Sequence, residues 1–415
     1  MITTWQQTIF YQTMNWFSWE NLRPRGDKLM WGIILVLSIW GLFAVYSSTG
    51  ALAYQKKAGR VEFYLFQHFG FLLAGFFIML LTHSVHYKHY LRFSKIILFA
   101  SYALLILTMF FGSTINNAQR WLVIPFINLS FQTSDIAKVA LILFVARELA
   151  VRQDDIKDFK KGFMPILTHV GITCLLIAPS NLSTALVLFS TCMVIMFMGR
   201  VSIKHIFYIG APTLSLLTIA ILVMLNTPDK YLNFGRLQTW KHRVENFNKP
   251  SEDPNETFQN DHAKIAIADG GLTGKGPGGS TERNLLPQAY ADFIYAIIAE
   301  EYGLIGAVVM LLLYLIFMYR AFRIIFRSPK AFGALLAVGV SFALVMQALI
   351  NMAIAVNLVP NTGLTLPLVS KGGTSVIITS FAFGLIMSVS RYVETEEPNE
   401  PNEAENTSAE NVLST

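Results

Sequence analysis

The chain has 415 residues, 53% of them hydrophobic and 14% charged, with a formal net charge of +6. A soluble protein carries about a quarter charged residues, and here the apolar residues gather in long unalternated runs, which excludes both a soluble globular domain and a membrane β-barrel. Only helices then satisfy the backbone in hydrocarbon, so the expected fold is an all-α polytopic membrane protein.

In chain order, residues 1–28 form a cytoplasmic segment with no apolar run before Trp31, which argues against a cleaved signal peptide. A single transmembrane domain, residues 29–391, is predicted from ten apolar runs at about 30–48, 63–83, 93–111, 136–149, 164–178, 184–199, 206–225, 303–322, 332–356 and 376–390. Several fall short of the roughly 20 residues needed to cross a bilayer, and the fourth contains Lys138, so tilted or broken helices sheltered by neighbours are expected. Ten spans put both termini on one side. With that side cytoplasmic, the cytoplasmic segments hold eighteen Lys and Arg, and the short outer loops hold five: Lys56, Lys57, Arg60, Arg120 and Lys371. The basic excess is an insertion signal, and no nucleic-acid partner is expected. Residues 226–292 make one long outer loop, and residues 392–415 a disordered acidic cytoplasmic tail. Cys174 and Cys192 lie in apolar runs and read as small core side chains, with no Cys/His spacing that suits a metal.

Four outer segments carry candidate chemistry. Residues 115–138 interleave Arg120 and Trp121 with apolar residues and then open the fourth span through Asp135 and Lys138. Asp135 and Lys138 are three apart and can pair on one helical turn; otherwise Lys138 is a partly buried cation suited to a pyrophosphate. Trp121 alone reads as an interfacial anchor. The run GKGPGGS fails as a P-loop, because Lys275 is followed by Gly276 and the first Gly of that motif would fall on Asp269. It is either a flexible turn or a loop whose N–H groups and Lys275 approach a phosphate or sugar. Asp292 stands directly before the apolar run Phe293–Ile298. It is either the N-cap of the next helix or a general base where a membrane-bound substrate meets water. Glu300 and Glu301 follow at a rise of about 12 Å and a rotation of about 80°, so helix geometry does not pair them with Asp292. Residues 359–375 form a Gly/Pro-broken segment with Lys371, which is either a re-entrant turn or the lining of a cavity. Arg120, Lys138, Lys275, Arg283 and Lys371 thus share one side with a carboxylate. Such a set suits an anionic lipid-linked donor: cations hold a pyrophosphate leaving group, and one carboxylate deprotonates the attacking sugar hydroxyl.

In combination, NAQRWL with FQTSDIAK, the stretch GGLTGKGPGGSTERNLLPQAYADFIYAIIAEEYG at 270–303, and PNTGLTLPLVSKGGTS resemble the signature segments of the SEDS family of membrane glycosyltransferases. The likeness covers about residues 29–391, and the LPQAYADF and GLTLPL forms are more similar to the division branch, FtsW, than to the elongation branch, RodA. It implies a peptidoglycan glycosyltransferase that polymerises lipid II, an undecaprenyl-diphosphate-linked disaccharide-peptide, outside the bacterial cytoplasmic membrane at the division septum. It further implies Asp292 as the catalytic residue, with Arg120, Trp121 and Lys138 in the same cavity. A class B penicillin-binding protein transpeptidase and other division membrane proteins are the implied partners. A divalent cation, Mg²⁺ or Mn²⁺, is the implied cofactor, with Asp292 its candidate ligand. The chain departs from the family pattern at Gln132–Asp135, at Pro179–Ser183, where an acidic turn is usual, and at Lys371, where Tyr is usual. The rival readings are a lipid II transporter and a division scaffold without chemistry. A transporter would place polar groups near the midplane and show repeat halves, neither of which the sequence displays.

Overall fold

The computed structural model describes residues 23–395 except 58, 116–117, 125–128, 229, 231–236 and 249–253. Most of the expected N-terminal segment and nearly all of the acidic tail lie outside these residues. Seven helices are long and apolar enough to cross a membrane: α1 (Lys28–Ser48), α3 (Val61–Ser84), α4 (Tyr87–Phe111), α8 (Ile203–Asn226), α11 (Ile294–Arg327), α12 (Ala331–Ala355) and α13 (Thr374–Thr395). Three shorter or more polar helices, α5 (Thr133–Val151), α6 (Met164–Ile177) and α7 (Leu182–Met198), stand at the other three expected spans. Helix α5 is buried along most of its length, which is how a span carrying Asp135, Lys138 and Glu148 is sheltered from lipid.

Close packing relies on small residues where helices cross. Gly75 of α3 sits against Ser380 of α13, and Gly384 faces Thr82. Gly41 of α1 lies against the backbone of residues 368–369, where a Cβ would come within 2.6 Å of the Leu368 carbonyl oxygen. At the basic end of the bundle, the Asp27 carboxylate caps α1 and accepts from Arg320 Nε at 2.6 Å, while the Asp27 N–H donates to Ser390 Oγ at 3.0 Å. One buried residue, through its carboxylate and its N–H, thereby ties α1, α11 and α13 together.

The opposite end is less regular than the sequence reading allowed. Three short strands, β1 (Ser113–Ile115), β2 (Ala118–Ile124) and β3 (Leu129–Gln132), form an antiparallel sheet with Trp121 opposite Gln132. A short helix, α2 (Gly50–Lys57), follows α1, and the long loop contains α9 (Leu237–Asn248) and α10 (Pro254–Gly270). The helix expected to begin at 303 instead begins at Ile294 and breaks at Gly303, which has φ +67°. The Gly-rich loop docks into that break. Lys275 N–H and Gly276 N–H donate to the Glu300 and Glu301 carbonyls at 2.9 Å, and Leu304 N–H donates back to the Gly271 carbonyl at 2.9 Å. The glycines are there for contact: a Cβ on Gly303 would collide with the Leu272 carbonyl.

Gly303→Ala should therefore cost about 2–4 kcal/mol, from backbone strain plus the collision. The readout is the thermal midpoint of the detergent-solubilised protein. Gly32→Ala, where nothing lies within 4 Å, should leave the midpoint unchanged or raise it. Equal midpoints for the two variants would show that the loop is not docked in the break.

Candidate active site

Two non-helical segments meet at the irregular end. One precedes α11 and carries Tyr290, Ala291 and Asp292; the other links α12 to α13 and carries Gly363 to Gly373. Backbone polar groups away from water need partners, and polar side chains from the bundle supply them. Asn351 of α12 donates to the Asp292 carbonyl at 2.9 Å and to the Leu364 carbonyl at 2.7 Å. Gln347, one turn earlier, donates to the Thr365 carbonyl at 2.8 Å, and Tyr314 of α11 to the Pro367 carbonyl at 2.6 Å. Ser370 Oγ donates to the Ala291 carbonyl at 2.7 Å, and Lys371 N–H to the Tyr290 carbonyl at 2.9 Å. The two segments are thus tied to each other and to the bundle, which holds Asp292 in place.

A cavity of about 400 Å³ opens over these segments. It brings together Arg120, Trp121, Lys138, Lys371 and Asp292, and adds Arg243 from α9. Arg120 Nε donates to the Ser180 carbonyl at 2.7 Å, which fixes β2 against the turn before α7. Asn181, where the family pattern has an acid, is buried there and its side chain accepts from Thr184 N–H as the N-cap of α7. Lys138 pairs with Asp135 at 2.9 Å, the one-turn pairing that the spacing allowed, and also donates to Gln347 at 3.1 Å. The Lys371 ammonium lies 3.6 Å from the centroid of the Tyr64 ring and 5.1 Å from that of Tyr290, a cation–π placement on the cavity wall.

Two candidate cations lie elsewhere. Lys275 is paired with Asp269 and Glu300, both at 2.8 Å, beside the break in α11, so its ammonium is committed to the docked loop. Arg283 lines a second cavity near α1, where it donates to Ser47 Oγ at 3.0 Å and neighbours Glu301. Both departures have one cause. The Gly-rich loop folds back on α11 and carries its charges away from Asp292. The N-cap reading of Asp292 also gives way, because Phe293 is the N-cap residue of α11 and no side chain caps that helix.

Asp292 is the acid of interest because of its surroundings. Burial pushes its carboxyl up to about 6, opposed by the positive charge of Arg243. Gly363, at φ +70°, leaves room beside it; a Cβ there would stand 3.7 Å from Asp292 Oδ2. A carboxylate of that basicity is mostly ionised at neutral pH and is a better proton acceptor than a free one. The donor set does not amount to a divalent-cation site. No three His, Cys, Asp or Glu gather among the described residues, and the cavity's other acid, Asp135, is held by Lys138.

Arg243, Gln347 and Asn351 were not singled out from the sequence. For the last two a signal existed: isolated amides in an otherwise apolar span mark polar business inside a bundle. For Arg243 the only signal was the amphipathic pattern of residues 237–248 inside the long loop.

The FtsW/RodA/SpoVE family model, described as cell cycle protein, matches residues 27–395. The chain is 31% identical over 369 residues to a protein of Geobacter sp. (strain M18) named a probable peptidoglycan glycosyltransferase FtsW, covering 88% of this chain and 96% of that one. It is 32% identical over 375 residues to stage V sporulation protein E of Bacillus subtilis (strain 168), covering 88% and 97%. Among solved structures, a chain of a peptidoglycan synthase complex that coordinates polymerisation and crosslinking superposes with a TM-score of 0.67 at 25% identity, covering 88% of this chain and 98% of that one. Thermus thermophilus RodA shares the fold at a TM-score of 0.63 and 22% identity, with the same coverage. The match along nearly the whole chain, over the same segments that build the cavity, means that this protein belongs to the FtsW/RodA/SpoVE family of multi-pass membrane proteins.

Proposed function

We propose that this protein is a peptidoglycan glycosyltransferase that polymerises lipid II at the outer face of the bacterial cytoplasmic membrane, in septal wall synthesis. The observation that carries the reading is Asp292: among the described residues it is the cavity's acid without an ion-pair partner, surrounded by Arg120, Lys138, Arg243 and Lys371. Asp292 accepts the proton of the acceptor sugar hydroxyl as its oxygen attacks the donor's anomeric carbon. The bond from that carbon to the diphosphate oxygen breaks, and undecaprenyl diphosphate leaves carrying the electron pair. Arg120, Lys138 and Lys371 balance the charge that develops there, so no proton need be given to the leaving group. A direct displacement of this kind inverts the anomeric centre. The basic end of the bundle then faces the cytoplasm, with both termini.

A class B penicillin-binding protein is the proposed partner. A related chain belongs to a synthase complex that coordinates polymerisation with crosslinking, which supports the pairing. The transporter reading is disfavoured by the position of the cavity at one end of the bundle, beside the sheet and the loop helices, and not at the midplane.

In assays of labelled lipid II with the partner present, Asp292→Asn should lower kcat by a factor of about 10²–10⁴ while leaving the fold intact. Equal polymer from both proteins would remove Asp292 as the base. The base must be ionised to act, so kcat should fall as pH drops through about 6, with one proton taken up. A flat profile between pH 5 and 8, measured with chemistry rate-limiting, would refute that assignment. Lys371→Ala should raise KM for lipid II by roughly tenfold as a lost diphosphate contact, read from initial rates; an unchanged KM would mean that the ammonium serves only the two tyrosine rings.

A further inference from the structure

The long loop contributes a cation to the cavity from outside the bundle. Arg243 lies in the middle of α9 and lines the cavity with Asp292. The other cations facing Asp292 are already engaged. Lys138 of α5 is held by Asp135 at 2.9 Å and Gln347 at 3.1 Å, and Arg120 of β2 donates its Nε to the Ser180 carbonyl at 2.7 Å. Lys371, from the segment before α13, lies against the rings of Tyr64 and Tyr290. Tyr290, on the same segment as Asp292, is the remaining titratable group at the site. Arg243 is the group whose charge Asp292 feels most, and Asp292 in turn acts on Arg243 against the cost of burying it.

The footing of α9 is also visible. Lys241 is buried, donates to the Thr227 carbonyl at 2.9 Å, and lies 3.6 Å from Glu245 one turn on. That carbonyl is at the end of α8, a helix in which Met224 is the one buried residue. Arg243 is thus delivered to the reacting centre by a helix that Lys241 ties to the end of the least embedded span.

We propose that Arg243 is a positioning residue for the reaction, and that seating α9 through Lys241 is the step that makes Asp292 competent as the base. With α9 seated, the guanidinium stabilises the carboxylate from within the same cavity. Without that charge the carboxyl is harder to ionise, and a smaller share of Asp292 is available as the base. This inference rests on the reading of Asp292 as the base.

The experiment has two readouts. The first is the pH dependence of kcat for lipid II polymerisation by wild type, Arg243→Gln, Arg243→Lys and Lys241→Ala, each with the partner bound. Removing a nearby opposite charge leaves the carboxyl harder to ionise, so the acidic limb of Arg243→Gln should move to higher pH by about one unit. Its rate should fall about tenfold on the acidic side and recover toward wild type at high pH. Arg243→Lys should keep the limb near its wild-type position. Lys241→Ala should move it in the same direction as Arg243→Gln, although Arg243 is still present. A merely structural role would lower the rate equally at every pH, and that result, or an unmoved limb in Arg243→Gln, would overturn the proposal. A shifted limb in Arg243→Gln with none in Lys241→Ala would overturn the seating step.

The second readout needs no turnover. The carboxyl C=O band of Asp292, isolated as the infrared difference between the parent and its Asp292→Asn variant, is titrated without substrate in wild-type and Arg243→Gln backgrounds. A band that titrates at higher pH in Arg243→Gln supports the proposal even if wild type makes no polymer, an outcome that would instead count against the glycosyltransferase reading. Coincident titrations would overturn the proposal regardless of activity.

Discussion

In hydrocarbon a backbone N–H or C=O without a partner costs several kcal/mol, and the active end of this protein is built from chain that is not helical. Everything at the site depends on how that chain is satisfied. Asn351, Gln347 and Tyr314 reach from membrane helices to carbonyls of the 364–367 segment, and Asn351 takes the Asp292 carbonyl as well. Ser370 and the Lys371 N–H close the gap between the two segments. The same rule shapes α11, where the Gly-rich loop occupies the break at Gly303 and exchanges hydrogen bonds with both halves. Irregular backbone is tolerated because it is buried in protein and because fixed amides and hydroxyls replace water.

This arrangement has an electrostatic consequence. The hydrogen bonds that pin the segment are neutral and go to its backbone, so the Asp292 carboxyl is left in a poorly solvated place. Burial makes it more basic, and the charge from α9 tempers that effect. The nearby acids have a different fate: Asp135 is tied to Lys138, and Glu300 to Lys275 and Thr281. Asp292 and Glu300 thus differ in charge environment by what lies across from them, not by their spacing along the chain.

The positions that depart from the family pattern are absorbed in ways that leave the site intact. Asn181 serves as the N-cap of α7 and needs no charge to do so. Asp135 keeps its carboxylate within reach of Lys138. Lys371 sits between two tyrosine rings, where an ammonium is stabilised by the aromatic faces while adding positive charge to the cavity wall.

Much of the fold was legible in the sequence, because the hydrocarbon core imposes a length and polarity on each span that composition alone reveals. The apolar runs, the clustering of basic residues at one end and the choice of Asp292 all follow from local pattern or motif. Placement of the cations did not follow. Arg120, Lys138, Lys275, Arg283 and Lys371 are equivalent as sequence, yet three line the cavity, Lys275 serves the loop docked in α11 and Arg283 bonds to Ser47 of α1. Arg243, which stands among polar residues of the long loop, enters the cavity only because α9 packs beside it. The sequence by itself determined which residues must be helical and buried in lipid, since that depends on each segment's own partition between water and hydrocarbon. Which charges face Asp292 was decided by the tertiary structure, since it depends on where three separate irregular segments find hydrogen-bond partners.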